Sequence, residues 1–521
     1  MRTRISLERL LSEGFGVSDI KLEEPRSEEF GDYTTNIAFR LARARGQSPE
    51  SAAEEVARLL EDHPDVRRCE VARGFVNIWL TEEALRRSVA EIIRDPSSYA
   101  SSDLGKGRRV LYEFVSANPT GPLNMVSARA AAFGDCLVRL ARRCGFRPEA
   151  EFYSNDAGGQ IEALGQSIAF RLGERDALPK DGYAGDYIIP VAERLRAEGV
   201  SPHEYGARAA EIFLKEQIET LSRFGVRFDR VVRESEIRAG RYRDEVLARL
   251  SGKTEMKEGA LFLTAEAIRD QKDRVLIRST GEPTYLFWDI AYHLHKAERG
   301  YDEMVNLLGP DHHTHGRVLT EAMKLMGIRN LRIKIIQQVH ILRGGWIAPM
   351  SKRKGEFYTM EELMEEVGVD AARFFLLMRG SSQPLEFDIE LAKTLASDNP
   401  VYYVQYLHAR CSSLEGFAKE HGVSPKTENL SLLTDPSERS IMRKLLYLPD
   451  TIESACEAEE PHLIPHYLLS LAGLFHGYYQ RQRIITDDRE LSSGRLALSL
   501  AVRAAIREGL SVMGVSAPDK M

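Results

Sequence analysis

A chain of 521 residues has room for two to four domains and an ample core, and 43% hydrophobic with 29% charged residues describes a globular protein. A net charge of −7 excludes general basicity as a means of holding nucleic acid and leaves that task to local patches. Five cysteines (Cys69, Cys136, Cys144, Cys411, Cys456) show no C-x-x-C spacing, which argues against structural zinc. With no signal peptide and no apolar run of membrane length, a cytoplasmic protein without membrane contact is expected, and a monomer is the expected state.

In chain order, residues 1–100 predict a small α+β unit. SAAEEVARLLEDH carries apolar residues at helical spacing, and Arg73–Leu80 alternates like an edge or half-buried strand. The polar stretch 95–109 is a linker by composition. VLYEFVSA (110–117) predicts a buried strand, Asn118–Pro122 a tight turn, and the Ala- and Arg-rich segment after it a helix ending near Gly145. That is the first half of a βα unit, whose helix start suits an anion, and an ordinary unit without ligand is an equal reading. A Rossmann-like parallel-sheet domain is expected over 107–380, with a helical insertion at about 160–250. RVLIRST and MVNLLG return to the sheet, and LRIKIIQQVHIL leads toward Met350. The absence of G-x-G-x-x-G after a strand argues against a dinucleotide cofactor. From 381 to 521 apolar residues recur at three- and four-residue spacing, predicting an all-helical domain.

Several polar residues carry chemistry. Glu113, inside an apolar strand, needs a cation, either a substrate ammonium or guanidinium or an internal arginine. Tyr285 and Asp289 share a helix face, where a carboxylate can clamp a guanidinium while a phenol orients it. Asp311-His312-His313-x-His315 follows no usual zinc spacing, so a substrate or ribose contact through Asp311 and His312 is preferred to a metal. Met350-Ser351-Lys352-Arg353-Lys354-Gly355 is a basic loop that is either solvated or placed to stabilise a polyphosphate leaving group, with Lys352 the best candidate. Tyr402, Tyr403 and Tyr406 with His408 and Arg410 form a row that is either core or a stacking platform for bases.

Met350-Ser351-Lys352-Arg353 resembles the second signature loop of class I aminoacyl-tRNA synthetases. The resemblance narrows to the arginyl-tRNA synthetase family through Glu113–Leu123, Tyr153–Gly158, Tyr285–Tyr292, Gly309–His313, Asp370–Arg373, Asn399–Tyr406 and Gly514–Pro518. It implies a class I catalytic domain, an N-terminal module contacting tRNA near Phe30–Tyr33 and Asn36, and a helical anticodon-binding domain. It further implies that Glu113, Asn118, Tyr285 and Asp289 hold arginine. ATP, with accompanying Mg2+, would lie over Asn124–Ser127, against Met350, Ser351 and Lys352, with Asp311 and His312 at the ribose.

At Asn124-Met125-Val126-Ser127 the chain departs from the family, which has two histidines flanking a hydrophobic residue and a glycine. Asn124 and Ser127 donate without charge, and Val126 sets a branched side chain where adenine should lie. Losing one preorganised donor costs on the order of 10²–10³ in rate. Pro349 replaces the first lysine of the second loop. The expectation is an arginine–tRNA ligase whose guanidinium pocket is kept and whose nucleotide pocket is altered. The alternative is a non-activating paralogue that uses pocket and tRNA surface for aminoacyl transfer to a guanidine-bearing small molecule, or for sensing arginine or tRNA.

Overall fold

A computed structural model describes residues 3–18, 20–347 and 358–521. At the N-terminus, helices pack on a three-stranded antiparallel sheet in the order Tyr33–Thr35, Phe75–Leu80, Val66–Ala72. Phe75–Leu80 is therefore the middle strand rather than an edge. It is reached through a tight hairpin in which Arg73 (φ 51°) and Gly74 (φ 80°) both take the left-handed backbone such a turn requires. The helix Pro49–Glu61 starts where Ser48 accepts the Ser51 N–H at 3.1 Å, and it buries Ala52, Ala53, Val56, Ala57 and Leu60. Within the expected linker, Pro96–Tyr99 forms one helical turn.

The central sheet has five parallel strands in the order Leu331–Ile335, Glu303–Leu308, Arg109–Glu113, Arg147–Ser154, Arg230–Arg233. The chain builds outward from Arg109–Glu113 on one side and later returns on the other. The order thus reverses between Arg109–Glu113 and Glu303–Leu308, where Glu113 faces Asn306 in register. Ligands of open parallel sheets sit at the carboxyl ends of strands at such a reversal. The first strand ends at Glu113 instead of running to Ala117, because Val115 (φ 69°) and Ser116 (φ 38°) take left-handed backbone and turn the chain away. The helix Met125–Arg143 follows, and a side chain at Gly134 would collide with the Phe114 ring, so the glycine lets the helix lie close.

Three expectations about strands and insertion change. Helices Gly159–Arg171, Ile188–Ala197 and Tyr205–Arg223 form the insertion, but the chain is already back in the sheet at Arg230–Arg233. Arg274–Ile277, from RVLIRST, joins Ala260–Leu263 and Thr254–Lys257 in a separate antiparallel sheet. LRIKIIQQVHIL splits into Leu331–Ile335 on the central sheet and Val339–Arg343, which pairs with Trp346–Ile347 and Leu385–Asp388. An apolar, β-branched run predicts strand without naming its partner.

Helices Pro400–Glu420, Pro436–Leu446, Leu448–Glu457, Leu463–Arg481 and Arg489–Met513 form the C-terminal bundle. Arg373, wholly buried, pairs with Asp135 and donates to the carbonyls of Met513 (2.9 Å) and Phe224 (3.1 Å), tying bundle to α/β domain. The N-terminal module is tied in the same way. Asp32 takes the Arg439 guanidinium (2.9 Å) and the Leu80 N–H (2.8 Å), and the Tyr33 hydroxyl donates to Asp450 at 2.7 Å. Asp32 and Tyr33, expected to face tRNA, are instead buried in this joint. Among the described residues no helix is long and apolar enough to cross a membrane.

Candidate active site

A cleft of about 610 Å3 opens at the reversal point, lined among others by Glu113, Asn118, Asn124, Val126, Tyr285 and Asp289. Its floor is a buried polar network. The Glu113 carboxylate pairs with the ammonium of Lys296, wholly buried on the helix Tyr285–Ala297, and accepts the Ser116 hydroxyl at 2.9 Å. Within the protein, the cation that this strand carboxylate demanded is thus a lysine rather than an arginine. Lys296 also donates to Asn306 Oδ1 at 2.8 Å, and Asn306 Nδ2 reaches His293 Nε2 at 2.7 Å. Burial pushes the His293 imidazole down to about 3, so the ring is neutral. Its Nδ1–H then donates to the Asp289 carbonyl at 2.7 Å.

Thr284 caps that helix by accepting the Phe287 N–H at 3.4 Å, which aims the first turn at the cleft. Tyr285, 46% exposed, stands at the mouth, and Asp289 lies one turn deeper on the same face. Burial alone would raise the Asp289 carboxyl. The hydrogen bond from His315 Nε2 (2.5 Å) and the charges of His315 and Lys296 outweigh burial and hold it below the usual range. Across the cleft, burial raises the Glu234 carboxyl even though it accepts Arg238 Nε at 2.7 Å and the Tyr153 hydroxyl at 3.2 Å. The Tyr153 ring stacks on Tyr292 with centroids 3.9 Å apart. Two buried acceptors, Asn155 Oδ1 and Gln160 Oε1, have no donor among the described residues. A cavity where carboxylates and unpaired amide oxygens converge suits a ligand with many N–H donors and no acceptor, which describes a guanidinium.

Sequence reasoning passed over Glu234 and Gln160. Glu234 and Gln160 follow the carboxyl ends of the strands Arg230–Arg233 and Arg147–Ser154, so the strand-end rule could have found them. His315 was weighed only within a metal pattern. No cluster of three or more potential metal ligands occurs among the described residues.

At the other end of the cleft, Asn124 caps the helix Met125–Arg143. Its Oδ1 accepts the Ser127 N–H at 3.0 Å and the Ser127 hydroxyl at 3.3 Å. Val126 is 40% exposed and lines the cavity beside them. His312 and His315, three apart, both reach the cleft, whereas Asp311 is exposed and does not line it, because the turn Pro310–His312 carries it off that face. Met350, Ser351 and Lys352, with Pro349, Arg353 and Lys354, lie outside the described residues. The chain that follows them bridges Thr359 to Asn124, and the Met360 N–H donates to the Leu123 carbonyl at 2.9 Å. The chain from Tyr358 onward therefore runs beside the helix start.

On the helical bundle a second cleft of about 1050 Å3 is lined by Tyr406, Arg410, Phe417, Tyr479, Arg481 and Arg483. The Arg410 guanidinium lies 4.6 Å from the Tyr406 ring and 4.7 Å from Tyr479, and Tyr402 stacks parallel to Tyr406 at 5.9 Å. His408 is turned into the core, its Nδ1 2.9 Å from the Pro518 carbonyl, and Tyr403 packs on His476. The aromatic row is thus divided between surface and core.

The Arginyl tRNA synthetase N terminal domain model matches residues 4–80, and the DALR anticodon binding domain model matches residues 404–521. The arginine–tRNA ligase of Moorella thermoacetica is 39% identical over 526 residues, covering 96% of this chain and 94% of the relative. An arginyl-tRNA synthetase structure from Campylobacter jejuni aligns at TM-score 0.77 and 32% identity, covering 85% of this chain and 100% of that one. The Thermus thermophilus arginyl-tRNA synthetase shares the fold along 100% of both chains, at TM-score 0.81 and 22% identity. With both terminal domains and the full-length identity in agreement, this chain belongs to the arginyl-tRNA synthetase family.

Proposed function

We propose that the protein is an arginine–tRNA ligase that activates arginine with ATP and transfers it to tRNA, as a monomer in the cytoplasm. The observation that carries this reading is the acceptor-lined cleft at the strand reversal, where Asp289, Glu234, Asn155 and Gln160 surround space for a planar cation. Asp289 clamps the guanidinium, Tyr285 covers it at the mouth, and Glu113 and Asn118 orient the amino-acid end. The substrate carboxylate is thereby directed toward the helix start at Asn124.

ATP would lie over that helix start, and Mg2+ would arrive with it and offset the charge of its phosphates. The Asn124 amide and the free N–H groups of the first turn face the phosphates and His312 the ribose, while the charge assigned to stabilise the departing pyrophosphate is that of Lys352. The arginine carboxylate attacks the α-phosphorus, the bond to the bridging oxygen breaks, and pyrophosphate leaves. A hydroxyl of the tRNA terminal ribose then attacks the arginyl carbonyl, AMP leaves with the bond pair, and the hydroxyl proton passes to solvent. The cleft of Tyr406, Arg410 and Tyr479 stacks on unpaired tRNA bases, and its cations meet the backbone. The competing reading, a paralogue that does not activate arginine, finds no support in the relatives. The test is esterification: labelled arginine, ATP and arginine-specific tRNA yield arginyl-tRNA. Arginine binding without any ester product would contradict the proposal.

A further inference from the structure

Three carboxylates line the arginine end of the cleft, and each is met by a different cation: Glu113 by Lys296, Glu234 by Arg238, Asp289 by His315. Lysine and arginine keep their charge through the physiological range, and an imidazole does not. Asp289 is therefore the carboxylate whose partner can leave by losing a proton. Resting on the reading of this cleft as an arginine site, we propose that His315 is a specificity-setting residue, a protonated counter-ion of Asp289 that an incoming guanidinium replaces with release of one proton.

The geometry supports this exchange. His315 and Asp289 are both half-buried and both line the cavity, with Nε2 and Oδ2 at 2.5 Å, so a ligand cation reaching Asp289 meets the imidazolium face to face. The hydrogen bond to Asp289 raises the His315 imidazole above its ordinary value despite burial. Facing the pair from its own helix are His293, neutral by burial, and Lys296, committed to Glu113. Arg274 of the neighbouring strand and Arg317 of the His315 helix are both held by Asp270, at 2.9 and 2.6 Å. The His312 ring lies 6.3 Å from that of His315, and Glu113 and Glu234 face it across the cavity. A second cation arriving at Asp289 lowers the affinity of His315 for its proton, because like charges at hydrogen-bond range repel strongly in a half-buried site. A neutral ligand of the same shape leaves the proton in place. The site thus discriminates for charge by linkage as well as by contact.

The sign follows from competition. Below the raised His315 value, proton and guanidinium contend for Asp289, so arginine affinity increases with pH and levels off above it. The limiting slope is about tenfold in Kd per pH unit for one linked proton. The experiment is calorimetric titration of the full chain with L-arginine between about pH 6 and about pH 8, run in two buffers of different ionisation heat. The expected result is close to one proton released on the acid side, none for citrulline, and a flattened profile for His315→Gln, whose amide still donates to Asp289. Arginine binding with no proton release, or with the same slope in His315→Gln, overturns the linkage and leaves the proposed function standing. No arginine binding at any pH overturns both. Proton counting on the unmodified chain decides the matter even if the variant fails to fold.

Discussion

At the floor of the cleft, Glu113, Glu234 and Asp289 each meet a cation, and the network continues through Asn306 and His293 into the sheet. At the helix start, Asn124 and Ser127 turn their hydrogen bonds on each other, and an exposed valine stands beside them. One end is a preorganised acceptor surface for a cation. Among the described residues, the other offers an anion amide and hydroxyl donors, the His312 ring and a helix terminus. The difference teaches that binding and activation of the amino acid are separable in this fold, because their polar groups belong to different elements. The cation end is built by the helix Tyr285–Ala297 and the strand ends, the nucleotide end by the start of Met125–Arg143.

The comparison can be broken most severely from below. Lys296→Met leaves Glu113 an unpaired buried carboxylate and lowers unfolding free energy by about 3–5 kcal/mol, read by urea denaturation. Adding Glu113→Gln recovers part of the loss. Asp289→Asn removes the guanidinium's charge partner and weakens arginine binding by about 2–5 kcal/mol, with near-native circular dichroism. The other end is sharpened by Asn124→His, Val126→Gly and Ser127→His together. The triple variant speeds arginine-dependent pyrophosphate exchange by on the order of 10² while arginine affinity stays unchanged. A triple variant that folds but exchanges no faster would mean that the helix start does not limit the rate. The smallest effect is expected far from the cleft, where Tyr479→Ala weakens tRNA binding by about 1–3 kcal/mol in a gel-shift titration and leaves arginine binding alone.

Local chemistry was legible in the sequence and long-range pairing was not. The turn at Asn118–Pro122, the helix ending by Gly145 and the shared face of Tyr285 and Asp289 follow from spacing and turn residues, and all are present. Glu113 was readable as a carboxylate needing a cation, but its partner is 183 residues away and no periodicity points to Lys296. Arg373 and Asp32 stood out within motif strings, yet both lock domains together through partners far along the chain. Strand runs such as Arg274–Ile277 showed their conformation and hid their sheet, since β-propensity describes a half-buried surface and not its neighbour. His315 escaped because a histidine three residues from another suggests a metal, while its partner sits on a different helix.

The claim on which the account turns is that an intact cation pocket still drives activation through an altered nucleotide end. ATP–pyrophosphate exchange by the unmodified chain, with arginine and arginine-specific tRNA present and ATP raised to saturation, tests it directly. The account predicts exchange that requires arginine, is not supported by citrulline, and rises in the triple variant. Arginine bound with unchanged affinity, but no exchange at any ATP concentration, would contradict it.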